Sequence, residues 1–329
     1  MPRPVILDVD TGVDDLIALL LAVASPELEL VAATTVFGNV DIDRTVRNTA
    51  LALDLAGRQD VEVARGAGAP LEGSWQPFPI VHGEEGLGSY APSGSVRGPS
   101  GRDAATLIVE VVRARPGEVA LVAVGPLTNV ARAIDLEPRL PELLGGFTLM
   151  GGAYREGGNV TPRAEANVWM DALAAARVFE AWSGAEPVTL PRCVGLDVTE
   201  LVPMSKAELA EAVAPAPASP LAELVDAAAS FYIDFHLAFG LEGGYLHDPL
   251  AVAAAIDPSV CSWVETRVEV ELEGRWSRGE TVTDLRGTRA TPWSDWNPAP
   301  NAVVATGVDT ERVLGLVVER LAALVGSRA

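Results

Sequence analysis

Four carboxylates, Asp8, Asp10, Asp14 and Asp15, fall within eight residues of VILDVDTGVDDLIALL near the start of the chain. An apolar strand leads in and an apolar helix leads out, so negative charge gathers where the chain turns between two buried elements. Asp8 and Asp10 are two apart on a strand, which sends both to one side of the sheet at its C-terminal edge. Gly12 permits the tight turn. Asp14 and Asp15 then occupy the first helical turn, where the positive end of the helix dipole favours negative charge. Capping explains one of these groups, or two. Four like charges at close range repel strongly unless a cation or protons intervene, and a bound divalent metal answers that repulsion. With no His or Cys in the motif the donors are hard oxygens, which suit Mg²⁺ or Ca²⁺ better than Zn²⁺. Ca²⁺ takes roughly six to eight oxygens, so further ligands must come from elsewhere. LHDPLA offers one: His247 and Asp248 precede Pro249, a favoured first-turn residue for the apolar helix that follows.

The elements that must position these groups alternate along the chain. Strands are predicted at Val5–Val9, Leu28–Val36, Glu118–Val124 and Pro187–Leu190, and helices at Asp14–Ala24, Asp41–Ala56 and Leu127–Ile134. Such alternation predicts an α/β fold, a mostly parallel central sheet with helices on both faces, whose function sits at the carboxyl ends of the strands. Near the C-terminus WVETRVEVELEGRWSRGETVTDL alternates like a small β-hairpin with its turn around Glu273–Arg275. Pro70–Gly101 is a long Gly/Pro/Ser-rich stretch, either functional or mobile, and Ala212–Pro220 reads as a connector between helices. Without a repeat or a clear boundary, residues 1–329 are expected to form one domain.

Composition narrows the function classes. Lys and Arg number 24 against 45 Asp and Glu, and a formal charge of −21 repels polyanions, so nucleic acid is a poor partner. The longest apolar run, Leu16–Ala24, is too short to cross a bilayer, and MPRPVILD enters a strand without a signal-peptide core. A cytoplasmic protein with no membrane partner is the expectation. Cys193 and Cys261, far apart and without a CxxC, are expected as buried, reduced thiols.

DVDTGVDDLIALL, TVFGNVDIDRTVRNTA, VHGEEGLG, AVGPLTNVA, MGGAYREGGNVTPRAEANVWMD, LHDPLA and the tail TVTDLRG to PWSDWNPAPNAVVATGVD together resemble the inosine–uridine-preferring nucleoside hydrolases, in the family's order, from Val5 to about Asp309. The resemblance implies a Rossmann-like nucleoside hydrolase fold and hydrolysis of purine or pyrimidine ribonucleosides to free base and ribose. It also implies a Ca²⁺ ion held by Asp10, Asp15, the Val124 carbonyl and Asp248, together with the ribose 2′- and 3′-hydroxyls and one water. Asp14 corresponds to the base that deprotonates that water. Asp8 stands behind, ordering its neighbours. An oxocarbenium-like sugar is favoured in such a carboxylate-rich pocket.

The same resemblance assigns the remaining roles. His247 corresponds to the acid that protonates the departing base; from the residues alone it serves equally well as an orienter of Asp248. His82 falls in a loop that is mobile in the family and covers the base, while as a lone loop histidine it could equally face solvent. Asn39, Asn159, Glu165, Asn167 and the backbone oxygen of Met150 correspond to ribose contacts. Asn39 and Asn159 also read as turn formers after glycine, whereas Glu165 and Asn167 have no obvious turn role. His236 reads as core or helix surface, and Phe231, Tyr232 and Phe235 as base-stacking or packing residues. A homodimer or homotetramer is implied as well. The chain departs from the family's pattern at Val9 and Thr11, where Thr and Pro are common, and is about one residue longer between Met150 and Asn159.

Two other readings compete. ILDVDTG after a strand also suits a haloacid-dehalogenase-type phosphatase with Asp8 as nucleophile and Asp10 as acid. That chemistry needs Thr or Val where Gly12 stands and a lysine for the phosphate, for which Lys206 is the sole candidate. A non-catalytic nucleoside-binding protein would need the metal and amides, but not Asp14 and His247 together.

Overall fold

The computed structural model describes residues 2–184, 187, 189–286 and 299–328. Its strands are β1 (Arg3–Val9), β2 (Leu28–Thr35), β3 (Glu62–Arg65), β4 (Ala120–Ala123), β5 (Gly146–Met150), β6 (Arg192–Val194), β7 (Pro203–Met204), β8 (Gly244–Tyr245), β9 (Cys261–Thr266), β10 (Val268–Val270), β11 (Thr281–Thr283) and β12 (Ala302–Val308). Eight of them form one sheet in the order β3-β2-β1-β4-β5-β6-β12-β9, parallel except for the edge strand β9, which runs antiparallel to β12. Chain order reverses at β1, whose neighbours are β2 and β4. Crevices open at the carboxyl ends of strands at such a reversal, and the aspartate motif lies there.

Alternation along β1 supplies both faces. Val5, Leu7 and Val9 join a core with the helices Val13–Ala24, Pro220–Ala238, His247–Ile256 and Thr310–Gly326. Ile6 points the other way, into a core with Ala104–Ala114, Thr128–Leu136 and Ala172–Gly184. The helix Val13–Ala24 is buried from Val13 to Ala22, including Leu16, Ile17, Leu19, Leu20 and Leu21. At about 1.5–3 kcal/mol for each fully buried large aliphatic side chain, it is a stiff base for the carboxylates in its first turn. Among the described residues no helix is long and apolar enough to cross a membrane.

Predicted elements fall close to place, with two corrections. The strand expected at Pro187–Leu190 is found at Arg192–Val194, where Cys193 and Val194 pair with Leu149 and Met150; Val188 lies outside the described residues. The C-terminal hairpin exists as β10 and β11, but Trp263–Thr266, read as part of it, belongs to β9 in the main sheet. Backbone pairing to β12 decided that, and alternation alone cannot name a strand's partner. The Ser/Asp/Trp-rich part of the tail motif, residues 287–298, lies outside the described residues.

Candidate active site

The floor of the site is built by two helix N-termini meeting the end of β1. Asp15, in the first turn of Val13–Ala24, accepts the Gly12 N–H at 2.9 Å, the Asp10 N–H at 3.0 Å and the Asn39 side-chain N–H at 3.0 Å. The helix-cap explanation therefore applies to Asp15. Asp10, just past β1, accepts the Asn39 backbone N–H at 2.7 Å. Gly38 makes room for it, since a Cβ there would collide with the Asp10 carboxylate. Asp248 enters from the first turn of His247–Ile256, a helix packed against Val13–Ala24.

Oxygens of Asp14, Asp15 and Asp248 lie within 4.8 Å of one another, all buried. Asp10 Oδ1 and Asp14 Oδ1 are sealed from solvent with no hydrogen-bond partner. Burial above all, then mutual repulsion, pushes Asp10, Asp14 and Asp248 well above the usual carboxylate range. Among the described residues no lysine or arginine pairs with them, and the nearest basic group is His82, 3.8 Å from Asp14. Unpaired buried carboxylates are costly, and a hard divalent cation is the group that satisfies orphaned oxygens of this kind. The residues present fit one. The trio that converges most closely contains Asp14, assigned above as the base, while Asp10 stands beside it.

Asp8 does not share the outlook expected from its spacing to Asp10. The strand ends at Val9, so Asp10 is free to turn toward Asn39. Asp8 instead accepts the Thr34 hydroxyl at 2.6 Å and the Asn129 amide at 2.8 Å, and burial pushes it up to about 7.

Above the floor is a cavity of about 450 Å³, a size suited to a small ligand. Of the predicted residues Asp14, Asn39, His82, Val124, Met150, Asn159, Glu165, Asn167, His247 and Asp248 line it; Asp8, Asp10 and Asp15 lie beneath. Asn167 links the ends of two strands, donating to the carbonyls of Val124 at 2.8 Å and Met150 at 3.3 Å. Asn159 sits exposed at the rim and accepts the Ala166 N–H at 3.0 Å. Glu165 corrects an expectation: it caps the helix Ala166–Met170, accepting the N–H groups of Asn167, Val168 and Gly152. The run after it leads into a helix, as its sequence suggests, but Glu is an uncommon cap.

His82 is 6% exposed rather than solvated. Its Nδ1 accepts the Val13 N–H at 3.2 Å, and burial, aided by the other two histidines, lowers its pKa to about 3. The following loop is pinned: Arg47 and Asn48 bond Glu85, and Gly88, at φ +59°, lies so close to the helix Pro220–Ala238 that a Cβ would strike the Ala228 backbone. Part of the stretch Pro70–Gly101 forms cavity wall, contributing Phe78, Val81 and His82. His247 is half-buried, with Nδ1 2.7 Å from the Thr199 hydroxyl, and desolvation with His236 nearby lowers its pKa to about 3.

Sequence reasoning missed Glu200, Tyr245, Leu241 and His236 as cavity residues, and Thr199 as the partner of His247. Only His236 carried a signal. The chain has 3 histidines, and all of them line this one cavity. Of the aromatic trio, Tyr232 and Phe235 line the cavity while Phe231 packs beside Gly88. Lys206, needed by the phosphatase reading, is tied to Asp234 and the Ser230 carbonyl, both at 2.9 Å, and is not part of the wall. Cys193 and Cys261 are free and buried, as expected.

Comparison with known proteins places this arrangement. Residues 5–315 match the family model described as inosine-uridine preferring nucleoside hydrolase. The chain is 39% identical over 295 residues to the inosine-uridine preferring nucleoside hydrolase of Leishmania major, covering 88% of this chain and 90% of that protein. It is 37% identical over 326 residues to the pyrimidine-specific ribonucleoside hydrolase RihA of Enterobacter sp. (strain 638), covering 98% of each. Among solved structures it is similar to the purine-preferring ribonucleoside hydrolase from Gardnerella vaginalis, with TM-score 0.89, 32% identity and coverage of 99% of this chain and 100% of that one. Family model, relatives and fold agree along nearly the full length, and the chain belongs to the inosine-uridine preferring nucleoside hydrolase family.

Proposed function

We propose that this chain, an N-ribosyl hydrolase by family, cleaves purine or pyrimidine ribonucleosides in the cavity described, with Asp14 as general base, His247 as general acid and Ca²⁺ as the cation. Asp10, Asp15, Asp248 and the Val124 carbonyl would hold that ion. When bound, it supplies a Lewis acid that orders the pentose diol and makes a neighbouring water easier to deprotonate. The carrying observation is the floor itself: buried carboxylates, two with partnerless oxygens, facing a cavity of nucleoside size.

Asp14 is the floor carboxylate that both lines the cavity and keeps an oxygen free of hydrogen bonds, as a proton acceptor must. His247 is held neutral by desolvation at the cavity wall. When the Thr199 hydroxyl donates to Nδ1, the ring's proton resides on Nε2, available to a departing base nitrogen. Asn39, Asn159, Glu165, Asn167 and the Met150 carbonyl are assigned to the ribose hydroxyls, and His82 to the edge of the base. Asp8, through Thr34 and Asn129, steadies the ground behind the floor. The buried, partnerless carboxylates stabilise an oxocarbenium-like sugar more than the neutral nucleoside.

One fold unit over residues 1–329 belongs to the same reading, supported by a sheet in which β1 and β12 both take part. So do assembly as a homodimer or homotetramer and a cytoplasmic setting. Large apolar side chains left exposed, such as Phe239 at 68% and Trp276 at 76%, support assembly. Light scattering reads it directly.

The test incubates the protein with inosine, uridine and p-nitrophenyl riboside, before and after exhaustive chelation, with elemental analysis of the same samples. Free base plus ribose, lost on chelation and restored by Ca²⁺, is the expected result. Full turnover in metal-free protein would remove the cation from the reaction, and nucleoside binding without products would make the chain a receptor.

A further inference from the structure

Consecutive backbone N–H groups from Gly152 to Glu156 all donate to side-chain oxygens. Gly152 donates to Glu165 at 2.9 Å. Ala153 donates to the Thr281 hydroxyl on β11 at 3.1 Å, and that hydroxyl donates back to the Ala153 carbonyl at 2.9 Å. Tyr154, Arg155 and Glu156 share one acceptor, the Asp197 carboxylate, at 2.8, 2.7 and 3.2 Å. Successive N–H groups that converge in this way form a concavity for an anion, and hydrogen bonds to a charged acceptor are the stronger kind. Arg155 and Glu156 are exposed, so water would satisfy their N–H groups equally well. What the carboxylate adds is a fixed position for the chain.

The segment so held joins two parts of the cavity. Met150, at the end of β5, lines it, as do Asn159, Glu165 and Asn167 further along, and Gly151–Gly158 is the chain between them. Asp197 belongs to the helical turn Leu196–Thr199, just after β6, which pairs with β5. The Leu196 N–H donates to the Gly152 carbonyl at 3.0 Å, and the Tyr154 ring lies so near Gly195 that a Cβ there would meet it at 2.6 Å. Two residues beyond Asp197, the Thr199 hydroxyl meets Nδ1 of His247 at 2.7 Å. One turn of helix therefore braces the chain between the groups assigned to the sugar with one side chain, and the proposed acid with another.

We infer that Asp197 is a positioning residue for the reaction: by anchoring Tyr154–Glu156 it fixes the loop between Met150 and Asn159, and with it the groups offered to the ribose. Its carboxylate is not part of the cavity wall, so it acts through that loop. This inference rests on the hydrolase reading above. Because the loop serves the sugar, loss of Asp197 is felt alike by every riboside, whichever group departs. Thr199 acts on the acid, and its loss depends on how much the leaving group needs a proton. Misplacing the groups that hold a reactant by an ångström costs up to about 10²-fold in rate.

The experiment measures kcat/KM for inosine, uridine and p-nitrophenyl riboside, and competitive inhibition by free ribose, in the wild type, Asp197→Ala and Thr199→Val, each checked for folding by circular dichroism. Asp197→Asn is the second variant should the alanine form not fold; it keeps the shape but turns an NH₂ group toward at least one of the three N–H donors. Either Asp197 variant should lose about 10- to 100-fold in kcat/KM by closely similar factors on all three ribosides, with ribose inhibition weakened in parallel. Thr199→Val should lose most on inosine and little on the nitrophenyl riboside. Folded Asp197 variants with wild-type kcat/KM and ribose inhibition overturn the inference, since the carboxylate would then merely close a surface loop. A loss that spares the nitrophenyl riboside overturns it too, because Asp197 would then act on the acid through its own turn. Absence of turnover on every riboside in the wild type would instead sink the hydrolase reading beneath it.

Discussion

The floor and the wall of the cavity are made in opposite ways. On the floor, Asp10, Asp14 and Asp15 sit within one strand–turn–helix connection, Asp15 oriented by the Asp10 and Gly12 N–H groups and Asp10 by the Asn39 N–H, and Asp248 arrives from a distant segment. On the wall, His82, Tyr232, His236, Tyr245 and His247 come from three separate stretches and are held by one another's rings and, behind His247, by the Thr199 hydroxyl. A motif that carries its own scaffold is robust and recognisable. A wall assembled from scattered residues can change one side chain at a time without disturbing the floor.

Floor and wall should respond differently to damage. Asp14→Ala should lower kcat by about 10²–10⁴-fold on every riboside, the usual span for a general base, while calcium content by elemental analysis stays near that of the wild type. Activity near wild type would show that the base lies elsewhere. His247→Ala, a wall substitution, should cost inosine about 10²-fold or more and cost p-nitrophenyl riboside far less, because nitrophenolate leaves without a proton. Equal losses on both substrates would erase the contrast between the two regions.

Smaller effects sharpen the comparison. Asn129 supports the floor from below, bonding Asp8, the Thr35 carbonyl and the Ala67 N–H inside the protein. Asn129→Ala should therefore destabilise the fold by about 2–4 kcal/mol, because buried groups lose their partners. Chemical denaturation measures it, and a change under about 0.5 kcal/mol, typical of a surface site, would mean water replaces the amide. The smallest effect is expected away from both regions. Burial pushes the Cys193 and Cys261 thiols up to about 12, so at pH 8 almost no thiolate is present. Iodoacetamide should leave the native protein unmodified by mass spectrometry and its activity intact.

How far each region could be read beforehand follows from the same difference. The floor was legible because strand alternation, a turn glycine and an apolar helix fix where neighbouring side chains go. Even so, Asp8 and Asp10 diverged once β1 ended at Val9, and Glu165 proved to be a helix cap that its local sequence does not announce. His82 and His247 were recognisable through motifs, yet their surroundings were not, since these depend on Tyr232 packing against His82 and on Thr199 and Tyr245 meeting His247. His236 was visible only as one of three histidines. Its spacing within FYIDFHLAFG is what any buried helix face shows, and nothing local says that this face borders a cavity.

By itself the sequence determined the α/β alternation, the strand-end carboxylates and the pull of those charges toward a cation, because these depend on residues near one another in the chain and on charge that cannot be buried unpaired. Only the tertiary structure decided which carboxylates converge, which nitrogen of each histidine is already bonded and which aromatic rings form the wall. Those outcomes depend on packing between segments more than a hundred residues apart, where a displacement of one side chain's width separates a ligand contact from a core contact.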